Sequence, residues 1–413
     1  MRKWFLMLYG AIFLACAGVM GAVGYATYAL PDAYTVTKGE KVDIGEFPAV
    51  RAAAVSVGTS GQAAVMNGQT AVGEYRAPLN LFGFIPLKEV TVSVVDAPVV
   101  TVCGTPFGIK LYTDGVLIVG MSDVQTAAGG VNPAAAAGIR IGDTILSING
   151  TEVTTNEEVA ACINACGGRA VTLRIRRDGV EFDAAFTPAR PHEGEGWRAG
   201  LWVRDSTAGI GMLTFYDENG AFAGLGHPVC DSDTGQMLSV STGEIVPARI
   251  RDVEKSVKGT PGELCGYFEK GTLGRLAINA ADGVYGTLTN APEQGVRMPM
   301  AMKQEVKEGA AQVLMTVDGT EPVLYDIVIR QVRYNTANDT RSMVIEVTDE
   351  ELLSLTGGIV QGMSGSPIIQ NGKLVGAVTH VLVNEPTRGY AIFAETMLET
   401  AVSVSKDPLK EVS

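Results

Sequence analysis

The chain has 413 residues, of which 46% are hydrophobic and 50 are glycine, so it is long enough for more than one domain and suits a β protein with many glycine turns. Its formal net charge of −13 argues against nucleic-acid binding, which requires a basic face. Six cysteines without a C-x-x-C pair and only three histidines leave few ligands for a metal, and we expect neither a metal nor another cofactor.

The N-terminus carries an uncharged, mostly apolar run from Trp4 to Leu30 behind two positive residues, Arg2 and Lys3. A run of this length can cross a bilayer, and positive charges ahead of it place the N-terminus in the cytoplasm. We therefore predict that residues 1–33 form a transmembrane signal anchor or, with cleavage near Ala29, a signal peptide. The remainder of the chain is then extracytoplasmic, either membrane-anchored or secreted.

Residues 34–100 consist of short pieces with the alternation of β-strands, and residues 90–94 (Val-Thr-Val-Ser-Val) are the clearest of them. This part of the sequence contains no recognisable set of catalytic residues. We predict a small β-rich connector that holds the next domain away from the membrane.

Residues 101–188 alternate between strand patterns and two helix starts. Asn132 precedes a short helix that begins at Pro133, and Thr155 and Glu158 have the spacing of a capping box. The run 141–150, which ends in an Asn-Gly turn, resembles the matching segment of PDZ domains in bacterial proteases. We therefore predict an α+β PDZ domain here.

A PDZ domain binds an extended peptide as an added strand between a loop and a helix. The resemblance implies that Phe107, Gly108 and Ile109 form the apolar-Gly-apolar centre of the carboxylate-binding loop. Val159 and Ile163, on one face of the second helix, would form the opposite wall. A PDZ-shaped spacer without a ligand stays open as the alternative, because a fold alone does not establish binding.

A short polar segment at 191–196 is typical of a linker, and residues 191–413 differ in character from those before it. Many short strands with glycine turns follow, for example at 210–216 and 323–329, with almost no long helical period. The pattern predicts a β-barrel or sandwich of roughly 200 residues. An amphipathic stretch from Ala394 to Val404 predicts a C-terminal helix.

The stretch 357–369 contains a serine, Ser364, between glycines in a tight turn with apolar runs on both sides. A nucleophilic hydroxyl must project from a sharp bend beside backbone N–H groups that can hold an oxyanion. We predict Ser364 as the nucleophile and the N–H groups of Gly362 and Ser364 as the oxyanion donors. Ser366 is the rival, but Pro367 behind it favours an extended backbone at that position.

These motifs also carry a family resemblance. Gly-Met-Ser-Gly-Ser-Pro at 362–367 is similar to the Gly-Asp-Ser-Gly-Gly-Pro of chymotrypsin-like proteases. The longer runs 357–381 and 224–235 resemble the SpoIVB peptidases, the sporulation-signalling serine proteases of endospore-forming bacteria. The resemblance implies a mainly β chain in which the PDZ domain precedes a chymotrypsin-like double β-barrel.

His227, between Gly226 and Pro228, is the predicted base, since an imidazole can take the serine proton and return it to the leaving amine. The resemblance implies Asp349 as the acid, fifteen residues before Ser364. Thr348 or Asp349 could instead cap a helix through residues 351–354, and Asp282 and Asp326 are the alternative acids. His380 is expected in the core or behind the catalytic residues.

Two functions follow from these patterns. The first is an extracytoplasmic serine endopeptidase, for which the resemblance implies sporulation signalling in the space between the mother cell and forespore membranes. It would cleave its own chain and then a membrane-bound regulatory protein, which leads to activation of a late sigma factor. The second is a non-catalytic PDZ adaptor built on a degenerate protease scaffold.

Overall fold

The computed structural model describes residues 2–30, 32–38, 50–52, 55–57, 63–64, 72–334 and 339–406. Its N-terminal part is one helix followed by a small sheet. The bounds are α1 (Arg2–Ala29), β1 (Ala33–Thr37), β2 (Val50–Ala52), β3 (Val55–Val57), β4 (Ala63–Ala64), β5 (Gly73–Leu81) and β6 (Ile85–Val95). The strands lie in the order β1-β6-β5-β3-β4, and β2 also pairs with β5. Residues 90–94 lie in β6, as predicted.

Within the ranges just given, no helix has both the length and the apolar character needed to cross a membrane. The predicted transmembrane segment is therefore not supported by the structure. The last turns of α1 pack on the N-terminal sheet, where Ala26 and Leu30 are buried beside Leu79 and Val90.

The middle of the chain contains fourteen strands and two helices within the described residues. Their bounds are β7 (Val99–Met121), β8 (Val124–Thr126), β9 (Gly129–Val131), α2 (Pro133–Ala136), β10 (Thr144–Ile148), β11 (Thr151–Glu152), α3 (Asn156–Ala165), β12 (Val171–Arg177), β13 (Val180–Phe186), β14 (Leu201–Tyr216), β15 (Ala221–Gly224), β16 (Val240–Glu254), β17 (Glu263–Phe268), β18 (Gly274–Ala280), β19 (Gly283–Leu288) and β20 (Val296–Pro299).

Six of these strands close a first barrel. They pair in the order β7-β14-β15-β19-β18-β16, and β16 pairs again with β7 to complete the ring. The interior is apolar and includes Phe107 and Phe222, whose rings meet edge to face at 6.4 Å.

The PDZ domain is inserted between the first two strands of this barrel. The first part of β7 and the last part of β14 belong to the barrel, whereas their other ends pair with each other. The end of β7 also pairs with β10 in the PDZ sheet. Both predicted helix starts are confirmed: Asn132 accepts a hydrogen bond from the Ala135 N–H, and Thr155 and Glu158 form a capping box. The predicted domain start at residue 101 lies inside β7.

The C-terminal part is a second closed barrel. It begins after a 3₁₀ helix at Lys303–Glu305, contains another 3₁₀ helix at Asp339–Arg341, and has the strand order β21-β22-β23-β26-β25-β24. The bounds are β21 (Gly309–Met315), β22 (Val323–Val332), β23 (Met343–Val347), α4 (Glu350–Thr356), β24 (Pro367–Gln370), β25 (Lys373–Val381), β26 (Arg388–Phe393) and α5 (Ala394–Lys406). Two barrels with a PDZ insertion match the predicted mainly β class, and α5 is the predicted C-terminal helix.

Candidate active site

Ser364 lies in a tight turn between α4 and β24 that is fixed to both barrels. Its carbonyl oxygen accepts a hydrogen bond from the Met212 N–H of the first barrel at 2.9 Å, and the Gly365 N–H donates to the Val378 carbonyl of the second at 2.8 Å. Gly365 has a φ of 90°, and a Cβ there would collide with the Met212 carbonyl oxygen. Only glycine fits this position without strain.

The two serines of the turn differ in exposure. Ser364 is half-buried, and its Oγ donates to the Thr379 carbonyl oxygen at 2.9 Å. Ser366 is fully buried, and its Oγ donates to the Met363 carbonyl oxygen at 2.7 Å. Ser364 is therefore the more accessible of the two serines.

His227 follows β15 in a sharp bend that packs against Thr379, the residue that binds Ser364. The bend uses positive φ angles at Leu225 and Gly226, and a Cβ on Gly226 would lie 3.0 Å from Cγ2 of Thr379. Thr379 therefore contacts both segments, since its carbonyl oxygen binds Ser364. The first-barrel segment that carries His227 and the second-barrel turn that carries Ser364 thus both pack against Thr379.

The ring of His227 is held by a backbone carbonyl. Nδ1 lies 2.8 Å from the carbonyl oxygen of Pro228, and because a carbonyl only accepts, Nδ1 carries the proton in this arrangement. Nε2 is then the unprotonated nitrogen that a general base needs. Burial lowers the pKa of His227, and the Pro228 hydrogen bond only partly opposes this shift.

His380 packs against His227. The ring centroids are 4.9 Å apart with the planes tilted by 38°, and the buried Nδ1 of His380 has no hydrogen-bond partner among the described residues. Burial, followed by the positive charges of His227 and Arg341, lowers the pKa of His380 to about 4. His380 therefore lies behind the base as a neutral imidazole, where the sequence placed it.

The predicted acid, Asp349, has hydrogen-bond partners other than His227. Asp349 caps α4, since Oδ1 accepts from the Leu352 N–H at 3.0 Å and Oδ2 from the Asp326 N–H at 3.2 Å. Asp326 is exposed and accepts from Gln312. Nowhere in the ranges covered by the structure does a hydrogen bond join His227 to either carboxylate, so the capping alternative describes Asp349 in this conformation.

Asp282, the other alternative, lies in the turn between β18 and β19. Its Oδ2 accepts from Thr400 Oγ1 at 2.6 Å, not from His227. The neighbouring Gly283 does touch the histidine bend, because a Cβ there would lie 2.8 Å from the Gly224 carbonyl oxygen and 3.4 Å from the Gly226 nitrogen.

The predicted oxyanion donors are unused. Neither the N–H of Gly362 nor that of Ser364 has an acceptor among the described residues, although the N–H groups of Met363, Gly365 and Ser366 are all bonded. Gly362 has a φ of 91°, in the left-handed region that favours glycine. The turn can therefore offer both N–H groups to a developing negative charge.

The loop after His227 is fixed by a buried carboxylate that the sequence analysis missed. Oδ1 of Asp231 accepts from the N–H and the hydroxyl of Thr234, and Oδ2 pairs with Arg204 on β14. Arg204 also binds Asp233 at 2.6 Å. Burial raises the pKa of Asp231, but the hydrogen bonds from Thr234 and Arg204 outweigh it and hold this pKa below its usual value.

Arg204 gives this loop a connection to the PDZ domain. It lies three residues beyond Leu201, where β14 begins as part of the PDZ sheet. An Asp-x-Asp run four residues after the histidine was the available signal, but nothing local in the sequence identifies its arginine partner.

The PDZ domain has a cavity of about 680 Å³ between α3 and the start of β14. Val159 and Ile163 line it, as predicted, together with Ala160, Leu201 and Val203. The segment before β14 also contributes to the wall through Trp197 and Gly200.

The predicted carboxylate-binding loop needs correction. Phe107, Gly108 and Ile109 lie inside β7, paired with β14 on one side and β16 on the other, and a Cβ on Gly108 would lie 2.5 Å from the Phe268 ring. They belong to the barrel and do not line the cavity. The apolar-Gly-apolar run beside α3 is Ala199-Gly200-Leu201, which the sequence analysis passed over.

Comparison with known proteins gives two matches to family models. Residues 195–398 match the model described as SpoIVB peptidase S55, and residues 132–177 match a PDZ domain. A search of curated protein sequences found no match.

Several solved protease structures are similar at low sequence identity. The HtrA-type protease AlgW with a decapeptide is 12% identical, and the match covers 49% of this chain and 55% of that chain with a TM-score of 0.29. The active form of the Rv3671c protease from M. tuberculosis is 14% identical, with 48% of this chain and 74% of that chain covered and a TM-score of 0.29. Deg5 is 13% identical, with 50% of this chain and 86% of that chain covered and a TM-score of 0.28. The match therefore spans little more than half of the AlgW chain.

Proposed function

This chain belongs to the SpoIVB peptidase family through residues 195–398, and on this premise we propose that it is a serine endopeptidase with Ser364 as nucleophile and His227 as base. The observation that carries the proposal is the convergence of both residues on Thr379. Ser364 binds its carbonyl oxygen, and the bend that holds His227 packs on its side chain.

The chemistry can be followed atom by atom from this geometry. Ser364 Oγ attacks the scissile carbonyl carbon and passes its proton to Nε2 of His227, and the N–H groups of Gly362 and Ser364 hold the oxyanion. His227 then protonates the leaving amine, the C–N bond breaks, and a water deprotonated by His227 releases the acyl group from Ser364. Throughout, the Pro228 carbonyl holds the Nδ1 proton.

The conformation described here is a resting one. The Ser364 hydroxyl donates to Thr379 and not to His227, so it must rotate to Nε2 before attack. Hydrogen bonds between catalytic groups commonly tighten only when substrate is bound. We propose that substrate binding breaks the Ser364–Thr379 hydrogen bond.

The acid of the triad is part of the proposal. In the resting conformation Asp349 accepts hydrogen bonds from the Leu352 N–H, which it caps, and from the Asp326 N–H on β22. Asp282 lies between the histidine and the serine in the chain, the order found in chymotrypsin-like enzymes, and its neighbour Gly283 touches the histidine bend. In the resting conformation we assign the orienting role to the Pro228 carbonyl.

For the biological role we propose the setting implied by the family. The enzyme acts outside the cytoplasm, attached to the membrane through its N-terminal helix, and cleaves itself and a membrane-associated regulator during sporulation. Its PDZ groove, between α3 and β14, binds a peptide segment of a protein partner. Family membership and the open cavity beside Val159 and Ile163 support this proposal.

A non-catalytic PDZ adaptor is the second candidate, and the hydrogen bond from Ser364 to Thr379 is the observation in its favour. An active-site-directed fluorophosphonate separates the two. We expect covalent labelling of the wild type and of Ser366→Ala, and none of Ser364→Ala. Absence of labelling in folded wild-type protein, with and without substrate peptide, would establish the adaptor; labelling of Ser364→Ala would move the nucleophile elsewhere.

A further inference from the structure

Two exposed phenylalanines form the tip of the hairpin between β5 and β6. Phe82 is 60% and Phe84 is 74% exposed, and their rings lie 6.4 Å apart. Phe82 has a φ of 54°, which is rare for a bulky residue. The turn therefore holds two large apolar side chains in solvent, although neither contributes to the core of the sheet.

The tip lies in a long uncharged stretch of the chain. No charged residue occurs from Asn80 to Leu87, and the first charge on β6, Lys88, is directed away from solvent. Its Nζ binds the carbonyl oxygen of Leu30 and, at 2.9 Å, the carboxylate of Asp32. The protruding end of the hairpin, residues 81–87, thus carries no polar side chain.

The same end of the sheet receives α1. Val23 and Ala26 of the helix, and Leu30 directly after it, join the apolar cluster that also contains Leu81 and Ile85, the residues that flank the tip. Earlier turns of α1 expose Phe13, Leu14 and Met20, each by more than 70%, and the helix has no charge after Lys3. Tip and helix thus both expose large apolar side chains at this end of the sheet.

We propose that the Phe82-Gly83-Phe84 tip inserts into the interfacial layer of a lipid bilayer beside α1, as a second membrane contact. The inference rests on the proposed membrane attachment of the N-terminal helix. A bilayer fits this surface better than a protein does, because a protein interface surrounds its apolar centre with polar, hydrogen-bonding residues. A convex tip with aromatic side chains inserts readily into the boundary between headgroups and acyl chains.

Site-specific photocrosslinking on the full-length chain tests the tip directly. Benzoylphenylalanine is placed at Phe84, at Tyr28 of α1, or at Tyr267 on β17 as an exposed aromatic control, and irradiated with vesicles of phosphatidylcholine and phosphatidylglycerol. We expect lipid adducts at Phe84 and Tyr28 and none at Tyr267.

The outcomes separate the tip from the membrane attachment as a whole. Adducts at Tyr28 alone would overturn the inference and leave the attachment through α1 intact. Adducts at none of the positions would contradict both. Crosslinks from Phe84 to protein would show that the tip binds a polypeptide.

Vesicle affinity gives a second measurement. The double variant Phe82→Ser/Phe84→Ser should partition into the same vesicles about tenfold more weakly than wild type, because two aromatic side chains no longer leave water. Tyr112→Ser/Tyr267→Ser, which removes two exposed aromatics from the barrel, should bind like wild type. Equal affinity of the Phe double variant and wild type would count against the tip.

Discussion

The imidazole rings of His227 and His380 pack against each other with their centroids 4.9 Å apart and their planes tilted by 38°. Among the described residues, Nδ1 of His227 is hydrogen-bonded and Nδ1 of His380 is not. Two positive charges at this distance in a buried site repel strongly. Burial lowers the pKa of both rings, and repulsion from His227 lowers that of His380 further. Both effects favour the neutral imidazole, the form in which His227 can act as a base.

Acid should destabilise the protein through this pair. The pKa of His380 is lowered to about 4 in the folded chain, against about 6.5 for an unperturbed histidine. Between these values the unfolded chain binds more protons, so stability is complete above about pH 6.5 and falls as the pH drops toward 4. We expect this slope in urea unfolding, a weaker slope in His380→Gln, and an unchanged one in the exposed control His192→Gln. Equal slopes in all three proteins would refute the assignment.

Asp349 is tested by a pair of substitutions. Asparagine caps a helix about as well as aspartate, so Asp349→Asn should keep most of the proteolytic activity. Asp349→Ala should lose about 1 kcal/mol of unfolding free energy through the lost cap. If Asp349→Asn instead folds normally and loses turnover by about 10⁴, as expected for a triad acid, the carboxylate reaches His227 during catalysis. Asp282→Asn, measured in parallel, tests the alternative acid.

Substitution of Arg204 should lower the unfolding free energy more than substitution of a more exposed arginine. Its substitution by methionine removes a hydrogen-bonded partner of the buried Asp231 carboxylate and should cost about 2 kcal/mol of unfolding free energy. Activity should fall as well, since the affected loop follows His227. Arg249→Met breaks a more exposed pair with Glu269 and should cost less than about 1 kcal/mol. Comparable losses in the two variants would argue against a special role for Arg204.

The PDZ groove can be filled without disturbing the core. Ala160 is exposed and lines the cavity, whereas Ala161, also exposed on α3, does not. Ala160→Trp should weaken peptide binding by about tenfold or more by occupying the space of the added strand, and Ala161→Trp should bind normally. Fluorescence anisotropy with labelled peptides from the chain and its substrate measures both. Binding that survives Ala160→Trp unchanged would place the peptide elsewhere.

Helix caps and turns, which depend on neighbouring residues, could be predicted from the sequence, whereas the pairing of distant strands could not. The caps at Asn132 and Thr155 follow from residue spacing within one turn, and so does the glycine-flanked turn of Ser364. Phe107-Gly108-Ile109 was misassigned because an apolar-Gly-apolar run is compatible with both a barrel strand and a binding loop. Its identity depends on partners more than a hundred residues away in β14 and β16.

The candidate site shows the same difference between local features and contacts with distant residues. Ser364 and His227 were predicted from their glycine contexts. The Nδ1 partner of His227 is a main-chain carbonyl, and no residue type in the sequence indicates such a partner. For Asp349 the resemblance implied a catalytic acid, and the helix cap was the alternative, because a carboxylate at this position is compatible with both roles. The structure shows the cap.

Since β7 and β14 each run through both the first barrel and the PDZ sheet, neither domain is a detachable module. A fragment of residues 101–188 would carry barrel residues such as Phe107 into solvent and would lack the β14 edge of its own groove. The barrel, in turn, can close only after the chain has returned from the insertion to pair Tyr216 with Thr101. Closure of the first barrel therefore depends on the return of the chain from the PDZ insertion. We expect the first barrel and the PDZ domain to unfold in a single cooperative transition.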